Sequence, residues 1–496
     1  MVKKLLILVV LAALTPIEVS GSDDSANLSV AARKAEIDRF VQGVLDAYHL
    51  PGLAVGIVEK NQVAYTGGFG VMNLKTGGPV TPRTLFHMAS VSKPFVATAI
   101  MQLVERGKLN LDDKVVTHLP YFFLADERYK DITIRQMLAH NSGMPNVQDY
   151  EWDNPKYDAG ALERYVRSLS EETLIAAPGV SARYSNMAFE VLGDLISKVS
   201  GMSFDDYQKE QILDPLGMNL STFLYEMPPD LEAAPHVRRL KVEVSDVYPY
   251  NRAHGPSSTL HSNVLEMCNW AIANLNRGIL NGKRILQESS YDQMWKPIVH
   301  VGPDTERGLS WFLTEHDGRR VVFHNGSDLG FKSTLVLLPD DSLAVVTMCN
   351  LSGAPLSTIT DVLVDVALGG MPDSIPTLLA PISYPVMEIL EDDGIDAAIA
   401  FFHERRADTT AKYLFREAYL NDLGYQLIGM TRLSDARAVL RLNIEAYPDA
   451  FNAYDSYGEV CMLMGDKEEA IANYRKSLEL NPANINAVIK LKELEK

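Results

Sequence analysis

Cysteine is scarce in this 496-residue chain: Cys268, Cys349 and Cys461 are its only three, far apart and set in apolar stretches. Without a C-x-x-C spacing, a cysteine-based zinc or dithiol redox centre is excluded, and the three read as buried thiols. Basic residues are also short, 46 against 64 acidic ones, for a formal charge of -18. A field of that sign repels polyanions, so nucleic acid is not an expected partner. Among the 11 histidines there is no H-E-x-x-H, and the chain has no G-x-x-x-x-G-K, no dinucleotide fingerprint after a strand and no G-x-S-x-G. Those absences argue against a zincin, a P-loop enzyme and an α/β-hydrolase, and neither a metal nor a cofactor is expected.

Long apolar runs are missing except near the start. There Lys3 and Lys4 precede apolar residues 5–14, followed by Pro16 and the small residues Val19-Ser20-Gly21. That order is a secretory signal with its cleavage site, too short for a comfortable membrane span. Residues 1–21 are therefore expected to be removed, leaving an exported protein, periplasmic or secreted, with no stable membrane span.

The 496-residue chain as a whole is 47% hydrophobic and 22% charged, the balance of a folded chain, and it is too long for one ordinary core. Helical spacing over residues 31–48 precedes two Val- and aromatic-rich runs, 53–58 and 62–69, joined by Lys60-Asn61 as a hairpin. A helix is predicted over 86–107, and a mostly helical middle continues to about residue 300. Strands return at 320–324, 333–338 and 343–349, separated by the turn signals Asn325-Gly326 and Pro339-Asp340-Asp341. Strands at both ends with helices between them predict an α+β domain with a cleft between the sheet and an all-helical lobe.

After residue 372 the prolines crowd together at 372, 376, 381 and 385, as in a linker. Beyond it, a shift of 34 residues pairs Gly424 with Gly458, Ala436 with Ala470, Leu440 with Tyr474 and Pro448 with Pro482. The period resembles the tetratricopeptide repeat, with residues 395–404 as half of a leading repeat. The expected division is a signal at 1–21, a first domain at 22–372, a linker at 373–385 and helical repeats at 386–496. The repeats are read either as a groove for a protein partner or as a helical cap or self-association surface.

Chemistry concentrates in three short patterns. Ser90-Val91-Ser92-Lys93 places a hydroxyl and an amine on one face of a helix, close enough to touch. A serine hydroxyl needs a base to become a nucleophile, and a lysine serves when its surroundings favour the neutral amine. Tyr184-Ser185-Asn186 precedes an apolar periodic stretch, on a loop entering a helix. There Tyr184 can relay the proton, and Asn186 can hold both Lys93 and a substrate amide. His324-Asn325-Gly326-Ser327 ends a strand, with Gly326 letting a substrate backbone approach and the Ser327 N–H offered as an oxyanion donor.

In this order the patterns resemble the serine β-lactamases, DD-peptidases and related esterases, whose marks are S-x-x-K, Y-x-N and a strand-borne K-T-G or H-x-G. The resemblance covers residues 30–370. It extends to Leu138-Ala139-His140-Asn141-Ser142-Gly143-Met144-Pro145 and to Gly255-Pro256-Ser257-Ser258-Thr259. It implies a β-lactamase/transpeptidase-like fold and an acyl-enzyme on Ser90, with Lys93 and Tyr184 as the base and acid pair in either order. Asn186, His324, Gly326 and Ser327 would bind substrate or its oxyanion, and His140 would be structural. His324 stands where class C β-lactamases mostly have lysine, so a small ester, amide or peptide is the expected substrate, and the nearby Lys332 is read as a solvated side chain rather than a compensating cation. The alternatives are a true β-lactamase and a silent peptide- or peptidoglycan-binding protein that recruits a partner through its repeats.

Overall fold

The computed structural model describes residues 29–370 and 375–496; the expected signal segment lies outside them. The first helix, α1 (Lys34–Tyr48), ends at Tyr48 as expected, and its cap is the left-handed residue His49. The hairpin follows: β1 (Gly52–Glu59) and β2 (Gln62–Asn73), with Lys60 and Asn61 at φ 52° and 59°. Two consecutive positive φ values match the right-handed twist of the paired strands.

Leu53, Val55 and Ile57 enter one core while Ala54 and Val58 enter another, so β1 is buried on both faces with a period of two. A short β3 (Gly77–Pro79) completes this side of the sheet. The other strands come late in the chain: β4 (Val299–His300), β5 (Glu306–Arg307), β6 (Phe312–His316), β7 (Arg319–Asp328), β8 (Phe331–Leu338) and β9 (Leu343–Cys349). The sheet order is β4-β5-β6-β7-β8-β9-β1-β2-β3, so the two ends of the domain meet where Leu53 pairs with Cys349.

One face of the sheet is covered by α1 and by a helix at Leu356–Ala367. The other carries the helical lobe, built on α2 (Lys93–Glu105), α3 (Asn186–Ser200) and α4 (Val264–Leu275). Gly56 lets α4 lie close on β1, since a Cβ there would stand 2.6 Å from Cys268 Sγ. All three cysteines are free and buried, and burial pushes the Cys268 and Cys349 thiols up to about 12.

One strand differs from its prediction. The Asn325-Gly326 signal does not end β7, because Asn325 pairs with Thr334 and Gly326 with Ser333; the strand turns at Gly330, φ 77°.

The C-terminal part is a stack of seven helices with its own core. A helix begins at Ser383, inside the interval expected for a linker, with Pro385 in its first turn, where no helical N–H is lost. The repeat offset corresponds to real packing. A Cβ on Gly424 would stand 2.4 Å from Leu440, and one on Gly458 would stand 3.3 Å from Tyr474, so each glycine seats its partner from the following helix. The two parts are joined by a hairpin of the first, His236–Arg238 paired with Val242–Val244. Its tip residue Leu240 is buried in the core of the helical stack. Beside it the Arg238 guanidinium lies 3.9 Å from the ring centroid of Tyr384.

Candidate active site

The predicted helix over 86–107 starts later than expected. Phe86–His87 forms a strand against His261–Ser262, Ala89–Ser92 a 3-10 turn, and α2 opens only at Lys93. Ala89, at φ 49°, breaks the helix. The left-handed conformation costs an L-residue about 1–2 kcal/mol and persists where neighbours hold it. Here Met88 N–H donates to the Leu260 carbonyl (2.7 Å) and Leu260 N–H to Ser92 Oγ (3.0 Å). Ser90 thus sits on a constrained turn at the mouth of α2.

Lys93 is completely buried. Its Nζ donates to Ser90 Oγ at 2.9 Å and to the Ser257 carbonyl at 2.7 Å, and Tyr184 Oη donates to the same Ser90 oxygen at 2.8 Å. Residues 94 apart in sequence therefore converge on one hydroxyl. Ser185 caps α3, its Oγ accepting from Ala188 N–H, which fixes the loop that carries Tyr184. His140 lies flat against the Tyr184 ring, centroids 4.3 Å apart, and its Nδ1 accepts the Ser185 N–H. Burial, then the Arg307 and Lys93 cations, holds that imidazole well below its ordinary pKa. The 138–145 segment therefore supports Tyr184 from behind.

Asn186 differs from expectation. No hydrogen bond joins it to Lys93, whose second bond goes to Ser257; its backbone N–H donates to Asn146 Oδ1, and its own Oδ1 is buried without a partner among the described residues.

On the opposite wall, β6 stops pairing with β7 at Phe323, so His324–Asp328 has a strand neighbour, β8, on one side only. The turn that carries Ser90 packs against that stretch. A Cβ on Gly326 would lie 2.2 Å from the Met88 carbonyl oxygen, so what this glycine admits is the chain's own backbone rather than a substrate's. Ser327 is exposed beside it. His324 is 1% exposed, and its Nδ1 sits 2.8 Å from the Asn325 carbonyl. With that nitrogen donating, Nε2 is an acceptor, and it has no partner among the described residues. Burial, reinforced by the Lys93 cation, lowers His324 to about 3, so the ring is neutral.

Ser90, Tyr184, His324, Ser327 and Lys332 line a cleft of about 380 Å³. Arg307 escaped the sequence reading. It is 4% exposed, with its guanidinium 5.4 Å from the Tyr184 ring and 4.4 Å from that of Phe312, and burial lowers it to about 10. Its Nε and Nη1 have no partner among the described residues. Nothing in its local sequence marks it, because only packing between distant parts of the chain brings it beside Tyr184. A metal-competent group among the described residues, His316, Asp317 and Asp365, contains none of these side chains.

The arrangement offers a nucleophile between two proton carriers, a neutral acceptor and a buried cation. Residues 37–368 match the family Beta-lactamase, and residues 451–484 match the tetratricopeptide repeat. The chain is similar to Protein flp of Staphylococcus aureus (strain MW2), 28% identical over 321 residues, which are 64% of this chain and 63% of that protein. Among solved structures it resembles the octameric penicillin-binding protein homologue from Pyrococcus abyssi. That match has a TM-score of 0.60 and 26% identity, over 73% of this chain and 82% of that one. It shares the fold of EstCE1, a hydrolase with promiscuous acyltransferase activity, at a TM-score of 0.57 and 22% identity over 67% of this chain and 98% of that one.

Proposed function

The chain belongs to the beta-lactamase family, and we propose that it hydrolyses a small ester, amide or peptide through an acyl-enzyme on Ser90. The observation that carries this reading is the pair of hydrogen bonds on Ser90 Oγ, from Lys93 Nζ and Tyr184 Oη. Once one member of the pair is without its own proton, as a free amine or a phenolate, Ser90 Oγ attacks the substrate carbonyl and passes its proton to that member, which then protonates the leaving group. The N–H groups of Ser90 and Ser327 receive the oxyanion, and His324 Nε2 accepts from the bound substrate. Water then enters, gives its proton to the same pair and releases the acid. Lys332 in the cleft favours a substrate with an anionic end.

Turnover of p-nitrophenyl esters, a chromogenic cephalosporin and D-alanyl peptides, measured side by side, sorts esterase from peptidase and β-lactamase. Ser90→Ala is expected to abolish both turnover and covalent labelling by a fluorophosphonate. Labelling that persists at another residue in that variant would reject Ser90 as the nucleophile.

For the repeats the proposed role is protein interaction, supported by the match to the tetratricopeptide family. Export is proposed on the N-terminal pattern alone, and no described helix is long and apolar enough to cross a membrane.

A further inference from the structure

Two adjacent serines outside the three patterns bear on all three. Ser257 and Ser258 end a one-turn helix, Gly255–Ser258, too short to use its own last carbonyls. The Ser257 carbonyl is the one that holds Lys93 Nζ. The same residue donates its hydroxyl to Glu190 Oε1 at 2.5 Å and its backbone N–H to Glu190 Oε2 at 3.3 Å. Glu190 is fully buried on α3, the helix that Tyr184 leads into, and faces one further ring, His254 Nδ1 at 3.3 Å. Ser258 donates to Asp328 Oδ2, at the end of β7, and that oxygen also meets His87 Nε2 at 2.8 Å, three residues before Ser90.

A buried carboxylate loses more hydration than a hydroxyl and an amide restore, so this arrangement is a poor way to gain stability and a good way to fix direction. Bonds to both carboxylate oxygens of Glu190 fix the Ser257 peptide plane, and with it the line from the carbonyl to Lys93.

We infer that Ser257-Ser258 is a brace that sets the nucleophile turn, α3 and β7 relative to one another, with Glu190 and Asp328 as positioning residues for Lys93 and the oxyanion strand. The inference rests on the acyl-enzyme reading above. Glu190→Gln keeps the shape but turns one acceptor into a donor, so that the Ser257 hydroxyl must reverse from donor to acceptor or the Ser257 N–H lose its partner; Ser257→Ala removes the hydroxyl alone. Neither touches the cleft, so each is expected to lower kcat roughly ten- to hundredfold with KM nearly unchanged. Because they break one link, the double variant is expected to lose little more than the worse single one. Glu190→Asp, which retains both acceptors, is expected to recover part of the loss.

The assay uses the full chain and whichever ester the wild type turns over. Ser257→Ala supplies the result if Glu190→Gln fails to fold. Wild-type kcat in Ser257→Ala, or losses that multiply in the double variant, would overturn the brace while leaving the reading of Ser90 intact. An unchanged rate in Ser90→Ala would instead remove the reading and the brace together.

Discussion

At the scale of the residue, Ser90 Oγ accepts from two groups that can each carry its proton, and substitution separates them. Tyr184→Phe and Lys93→Met are each expected to reduce kcat by about 10²- to 10⁴-fold, measured on the ester that the wild type turns over, with the melting temperature little changed. The variant whose remaining rate loses the acidic limb of the pH profile identifies the first base. His324 makes a second prediction. Its folded value of about 3 lies below the ordinary 6.5, so the unfolded chain binds the proton more readily. Its contribution is complete above about pH 6.5 and is lost progressively down to about pH 3, a difference on the order of a few kcal/mol. Denaturant midpoints of His324→Gln should therefore fall less steeply than those of the wild type between pH 7 and 4. Ser90, Lys93 and Tyr184 were legible in the sequence because each stands in a short pattern with recognisable company. Arg307 was not, since its place depends on packing against the Tyr184 ring, a contact between distant parts of the chain that no window contains.

At the scale of the element, the site depends on how closely the Ser90 turn lies on β7. Gly326→Ala would put a methyl group 2.2 Å from the Met88 carbonyl oxygen, so the turn must move off the strand. The expected result is a loss of turnover of at least about a hundredfold together with a lower melting temperature, read by ester hydrolysis and thermal unfolding. Ala89→Gly tests the same turn from the other side. It removes the cost of a left-handed alanine, at φ 49°, and should change stability by less than about 1 kcal/mol while loosening the serine. These elements also mark where local reading gave out. The hairpin at Lys60-Asn61 was visible because its turn chemistry and its flanking strands agree. Asn325-Gly326 carried equally strong turn chemistry but was overruled by pairing with β8, and the helix expected from residue 86 was displaced by long-range bonds from the 260 region.

At the scale of the whole molecule, the 34-residue offset was enough to announce the helical stack, because each repeat glycine has a partner at a fixed distance along the chain. The contact between the stack and the sheet domain left no such trace, since Leu240 is one leucine in a polar hairpin. Leu240→Ala is expected to cost about 2–5 kcal/mol, read as faster hydrogen exchange in residues 383–496. Protection equal to wild type there would show that the stack holds without it. The same hairpin is bound at its base, where His236 N–H donates to the Gly330 carbonyl and His236 Nδ1 meets that of Asn350, so it reaches from the stack to the turn that ends β7. Leu240 therefore bears on how such a chain is assembled and exchanged. The helical stack is not a cassette that recombination can move freely: grafted elsewhere it arrives with an empty socket, and the sheet domain it leaves behind carries an adhesive tip.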